Sequence, residues 1–151
     1  MRKIAVLWII ALLWGSGVLA QTPEPSSLKP LDPRPGAFTL YTLSFTAPDT
    51  VPPDGVLHLT FPQAFSLAQV SLAGSSTMNG GFAVEVNGRE LRIRRGGEGQ
   101  PVPQGTAVDV KFSLVKNPAA EGDYSVTWLL EDAAGNALAG PFTVSVSITK
   151  K

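Results

Sequence analysis

From Phe38 to the end of the chain, apolar and polar side chains take turns. The last stretch is the clearest, where Phe142, Val144, Val146 and Ile148 alternate with Thr143, Ser145, Ser147 and Thr149. Successive side chains on a β-strand point to opposite faces, so this spacing predicts a strand with one apolar and one hydroxylated face. Tyr124, Val126, Trp128 and Leu130 repeat the pattern against Ser125, Thr127, Leu129 and Glu131. Val108, Val110, Phe112 and Leu114 do so against Asp109, Lys111 and Ser113, and Leu57, Leu59 and Phe61 against Val56, His58 and Thr60. Around Phe38–Thr46 the alternation changes phase near Tyr41, which predicts a bulge or a strand that changes sheets. Residues 65–73 are similarly irregular.

Between these runs, "FAVEVNGRELRIR" (82–94) predicts a hairpin, because Asn87-Gly88 tolerates the positive φ of a type I′ turn. A two-residue loop at Asn87-Gly88 sets Glu85 opposite Glu90, which is unfavourable for like charges unless Arg92 screens them or the loop is longer. No helical period occurs after residue 20. Seven or eight short strands with one apolar face each, punctuated by Gly and Pro, predict an all-β, antiparallel two-sheet sandwich of immunoglobulin (Ig)-like type.

The N-terminal part has a different character. Arg2 and Lys3 precede an unbroken apolar run, Ile4–Trp14, and Val18-Leu19-Ala20 suits a cut after Ala20. Residues 1–20 are therefore expected to be a signal peptide. The rival is an uncleaved anchor, since Ile4 to Ala20 is just long enough to span. Residues 21–36 hold five prolines and few core residues, and are expected to be a Pro-rich linker before a domain at 37–151. Losing Arg2 and Lys3 from the 12 basic residues leaves 10 against 12 acidic ones, a net charge of −2. That balance argues against nucleic acid as a partner, and no polybasic segment calls for a membrane surface. With no Cys, disulfides, thiol chemistry and lipid attachment through an N-terminal Cys are excluded.

At "AAEGDYSVTW" (119–128), Gly122-x-Tyr124 resembles the tyrosine corner of Ig-like domains. The position of the antibody Cys is Val126, so only the corner carries over. "LTFPQAF", "VDVKFSLVKNPAAEGDYSV" and "EDAAGN" together resemble bacterial extracellular Ig-like modules of surface and envelope proteins. The likeness covers most of 38–149. The C-terminal part is also similar to periplasmic copper-resistance carriers, through Tyr124, Val126, Trp128, Gly140, Phe142 and Val144. Gly135-Asn136 stands where that family's Gly-His is expected, and Cu(II) favours imidazole nitrogen, so the resemblance implies the fold without the copper.

Candidate chemistry is sparse. Glu131, Asp132 and Asn136 gather oxygen-bearing side chains around Gly135. A calcium site needs six to eight oxygens, so a turn with solvated carboxylates and a positive-φ Gly135 is the simpler reading. His58, the only His, lacks an evident nucleophile or orienting partner and reads as a solvated strand residue. Scattered carboxylates show no glycosidase pair. Gly96, Gly97 and Gly99 lack the Lys-Ser/Thr and helix of a phosphate loop. Trp128, the one Trp beyond the leader, falls on the core face, which weakens a sugar-binding platform. Arg89, Arg92, Arg94 and Arg95 form the one charge concentration, either an interaction stripe for an acidic partner or a guarded, solvated face.

These features predict an exported, non-enzymatic Ig-like module without a cofactor. Its expected role is binding or structural, in the bacterial cell envelope, with another envelope or surface protein as partner. The alternative is a periplasmic carrier of a cation such as Ca or Cu, or of a carbohydrate.

Overall fold

A computed structural model describes residues 26–151. The expected signal peptide and the first part of the expected linker lie outside the described residues. Among the described residues nine strands form, in chain order: β1 (Ser26–Pro30), β2 (Phe38–Thr46), β3 (Val56–Thr60), β4 (Leu72–Gly74), β5 (Phe82–Asn87), β6 (Glu90–Arg95), β7 (Ala107–Lys116), β8 (Gly122–Glu131) and β9 (Ala137–Ile148). They make two antiparallel sheets, one ordered β1-β2-β7-β4 and the other β5-β6-β3-β8-β9. Among the described residues no helix is long and apolar enough to cross a membrane.

The alternation read from the sequence sets the inner faces. Val126, Trp128 and Leu130 of β8 and Val144, Val146 and Ile148 of β9 point inward, as do Leu57 and Leu59 of β3. Tyr41, Leu43 and Phe45 of β2 and Val108, Val110 and Phe112 of β7 face them from the other sheet. Trp128 is 1% exposed and sits between Phe45 and Phe142, with ring centroids 4.6 and 4.8 Å away. At the other end Tyr41 stacks on Phe112 and meets Phe61 and Phe65 edge-on. Tyr124 donates its hydroxyl to the Ala120 carbonyl at 2.8 Å, closing the expected tyrosine corner.

Three departures have physical causes. First, the phase change near Tyr41 belongs to the partner strand. Strand β2 alternates without a break, with Thr39 turned into the core, where its hydroxyl accepts the Asp32 N–H. Phe38 and Leu40 therefore face outward. Between Thr39 and Tyr41 the register slips because β7 carries an extra residue there. Val115 then takes the core position and Leu114, expected inside, is 42% exposed.

Second, part of the expected linker is sheet. Ser26–Pro30 pairs with β2, and Leu28 is 2% exposed in the core. The prolines do not prevent this, because β1 is an edge strand and Pro30 is its last residue. The following segment is tied down by Asn117, whose amide donates to the carbonyls of Asp32 and Arg34 and whose carbonyl accepts the buried Tyr41 hydroxyl at 2.6 Å. Third, the β5–β6 turn sits one residue later than Asn87-Gly88. Asn87 pairs with Glu90, so Gly88 (φ +60°) and Arg89 form the loop. Positive φ at the first loop position alone is the type II′ solution. Glu85 consequently faces Arg92 and not Glu90, which replaces a repulsive pair by an attractive one.

Candidate interaction face

The outer face of the five-stranded sheet carries a charged network that four strands build together. The turn placement puts Glu85 of β5 beside Arg92 of β6. Arg92 in turn pairs with His58 of β3, and Val56, two residues before His58, pairs with Glu131 of β8. Residues two apart on a strand share a face, so Glu131 reaches diagonally over β3. One of its oxygens, Oε1, lies 2.8 Å from His58 Nδ1, and the other accepts from the Arg92 guanidinium at 3.0 Å. Glu131 is 5% exposed as a residue. A buried carboxylate with one partner per oxygen is the arrangement that burial requires of a charge.

Its surroundings are more open. The His58 side chain is 15% exposed, with Nε2 buried, unbonded and 3.6 Å from Glu90 Oε1. Two shallow hollows flank the Glu85–Arg92 row. One, of about 200 Å³, is lined by His58, Glu85, Asn87, Glu90 and Arg92. The other, of about 230 Å³, lies between Val56, Ala83, Val84 and Arg94. Glu85, Glu90 and Arg94 are exposed around them. The face thus combines a fixed ion-pair centre with a rim of free charges of both signs.

Several expected site residues are placed differently. The sequence groups Glu131 with Asp132 and Asn136, as turn residues or a cation site. It is instead the last residue of β8, turned onto the sheet, and is neither solvated nor part of the turn. Asp132 and Asn136 do form the turn. Asp132 Oδ1 accepts the N–H groups of Ala134 and Asn136, and Oδ2 accepts the Asn136 amide. Those bonds, led by the Asn136 N–H, hold the Asp132 carboxyl below the usual carboxylate range. Gly135 supplies a positive φ of +88°. The three oxygen-bearing residues do not converge on one point.

His58, read as solvated, is largely covered and is the carboxylate's partner. Of the arginines, Arg89 sits in the hairpin loop, while Arg92 and Arg94 share the outer face. Arg95 does not belong to the stripe. It points inward at 3% exposure and donates to the carbonyls of Val51, Pro52, Asn79 and Gln100 at 2.7–3.2 Å. The alternation that puts Arg92 and Arg94 outside puts Arg95 inside, where it straps together three loops. Burial lowers the pKa of its guanidinium.

The histidine–carboxylate pair invites a catalytic reading. A general base needs a proton donor to act on. Among the described residues, no hydroxyl or thiol is hydrogen-bonded to either imidazole nitrogen. The two bonds of Glu131 hold the His58 ring and the Arg92 guanidinium in fixed positions on this face.

The fold is similar to that of cohesin modules. A non-cellulosomal cohesin from the archaeon Archaeoglobus fulgidus is 13% identical, with a TM-score of 0.51 over 82% of this chain and 91% of that one. The seventh ScaB type I cohesin from Pseudobacteroides cellulosolvens is 14% identical, with a TM-score of 0.51 over 83% and 93%. A type I cohesin–dockerin complex from Clostridium thermocellum matches at 12% identity and a TM-score of 0.51, over 85% and 100%. At these identities the cohesin likeness is one of fold. No protein-family model and no curated protein matches the sequence.

Proposed function

We propose that this chain is an exported, non-enzymatic binding module that docks a partner protein on the outer face of its five-stranded sheet. The observation that carries the reading is the Glu131–His58–Arg92 centre with its rim of Glu85, Glu90 and Arg94. A surface side chain gains little stability from ion pairing. A buried carboxylate clamped by two strands is a different feature, because it fixes Arg92 and His58 in place before a partner arrives. Pre-ordered charges steer association and set register more than they add affinity. A partner with complementary alternating charges suits this face. The cohesin-like fold supports the reading, since the Clostridium thermocellum neighbour was solved in complex with a dockerin. The leader-like residues 1–20 support export, and the bacterial envelope is the expected setting.

The test is site-specific photocrosslinking in the producing cell. A benzoylphenylalanine at Arg94 or Glu85 should trap a defined protein, and the Arg92→Glu variant should lose it. A probe at Ser145, on the same sheet at β9, should trap less. Equal trapping at all three positions, or none at Arg94 and Glu85, would remove the assignment of this face.

A further inference from the structure

The outer face of the other sheet is built quite differently. Leu28 and Pro30 point inward on β1, so Lys29 and Leu31 point out. Phe38 and Leu40 point out on β2 for the reason given above. Leu114 is turned out by the β7 bulge, and Leu72 points out on β4 beside Ser113. The Leu31 N–H donates to the Leu40 carbonyl at 2.8 Å, so those two are neighbours. One apolar row therefore crosses the sheet, from Leu31 just past the end of β1 through half-buried Leu40 on β2 and Leu114 on β7 to Leu72 on β4, with Phe38 beside it. The side chains stand proud, at 80% exposure for Leu31, 69% for Leu72, 49% for Phe38 and 42% for Leu114. At strand spacing the row is roughly 15 Å long.

Lysines border this row on both sides. Lys29 and Lys111 both flank Thr42 on one side. Lys116 lies on the other, pairing with Phe38 and holding its ammonium 5.5 Å from that ring. Among the described residues of this face the one carboxylate is Asp109, and it is already engaged by Ser75, Ser76, Thr77 and Lys111. The opposite half of the face holds small or hydroxylated residues, Ser27, Ser44, Thr46 and Ala107, around Asp109.

We infer that this face seats on a membrane surface that carries anionic lipids. Protruding leucines and a phenylalanine can enter the boundary between headgroups and acyl chains, while lysine stems reach back to the headgroup level. Each lysine near an anionic surface strengthens the attraction severalfold. The charge pattern argues against a second copy as the occupant. Two such faces meeting would set lysine rows against each other or against leucines, with no free carboxylate to answer them. A protein with an acidic rim around an apolar patch is the competing occupant.

The absence of Cys in the chain makes the test direct. Full-length protein with Leu72→Cys, labelled with a polarity-sensitive dye, is mixed with vesicles of phosphatidylcholine alone or with added phosphatidylglycerol. The expected result is a blue shift with the anionic vesicles that weakens with salt and is small with phosphatidylcholine. The same dye at Thr127→Cys, on the outer face of the other sheet, should not shift, which separates docking of this face from any tethering by residues 1–25. Lys29→Gln with Lys116→Gln should weaken the response by roughly fivefold per lysine. Leu31→Ser should weaken it with unchanged circular dichroism. No shift at position 72, or an equal shift at position 127, would overturn the inference. So would a shift without vesicles that grows with protein concentration, which would assign the face to a second copy. A shift that appears only with an acidic protein partner would assign it to that class instead.

Discussion

Replacing Glu131 tests the network at its centre. Its side chain is 7% exposed, against 15% for His58 and 38% for Arg92. Glu131→Leu keeps the bulk and removes both acceptors. Imidazole Nδ1 is then left without its partner in a mostly covered site, while the guanidinium can turn to water. An unsatisfied buried polar group costs about 1–3 kcal/mol, and lost charge-assisted bonds add to it, so about 2–4 kcal/mol is expected. Glu131→Gln should cost less, about 1–2 kcal/mol. The amide oxygen can still accept from Arg92, and the amide nitrogen can donate to His58 Nδ1 if the imidazole proton moves to Nε2. That nitrogen faces Glu90 Oε1 at 3.6 Å, where the proton is welcome.

Urea unfolding followed by Trp128 fluorescence reads both variants. With a slope of roughly 1–3 kcal/mol per molar for a small domain, Glu131→Leu should lower the midpoint by about 1 M or more. An Arg92→Met and Glu131→Gln double-mutant cycle should show coupling of about 0.5–1.5 kcal/mol. A Glu131→Leu midpoint equivalent to a change within about 0.5 kcal/mol would refute the reasoning, because that is how a solvated turn carboxylate behaves.

Further outcomes follow from the same geometry. Trp128→Ala, between Phe45 and Phe142, should cost about 3–5 kcal/mol in urea unfolding, and Tyr124→Phe, which loses one hydroxyl bond to Ala120, about 0.5–1.5 kcal/mol. Gly135→Val should lower the melting temperature more than Gly135→Ala, since φ of +88° penalises any side chain and a β-branched one most. At Asp109, burial pushes the carboxyl up, but bonds from Ser76, Thr77 and Lys111 outweigh it and hold the group well below its usual range. Its folded pKa is thus below the unfolded one, so its contribution is complete above the unfolded value of about 4 and is lost as pH falls below that. Stability measured from pH 6 down to 2 should fall less steeply for Asp109→Asn.

Much of the fold was legible because it follows from period two alone. Trp128, Val126 and Leu130 lie inside because every second residue does, and Tyr124 closes its corner because both partners are local in sequence. Apart from Arg95, the misreadings share one feature, which is dependence on register between strands. Glu85 was set against Glu90 because Asn87-Gly88 is the better-known turn pair, and a shift of one residue reverses the sign of that contact. Arg95 was counted with Arg92 and Arg94 although alternation already pointed it inward. His58 and Glu131 are 73 residues apart, and only the pairing of β3 with β8 joins them. The apolar row was hidden for the same reason. Phe38, Leu40, Leu72 and Leu114 sit one or two to a strand, and each resembles a core residue slightly out of phase.

The two outer faces show how the outward positions of a sandwich can carry specific chemistry. The core constrains only inward positions, so the outward positions of each strand are free to differ. On the five-stranded sheet they hold charges of both signs, with a buried carboxylate fixing an arginine and a histidine. On the four-stranded sheet they hold leucines, a phenylalanine and lysines, with the one acid tied up by hydroxyls. The first pattern suits a partner that must be recognised in one register, because alternating charges penalise a shifted docking. The second suits a surface that has no register, because an apolar row between cations binds equally well wherever it lands. A module that uses both faces would hold itself on a lipid surface with one sheet while presenting the other, about 10 Å away across the core, to a protein partner.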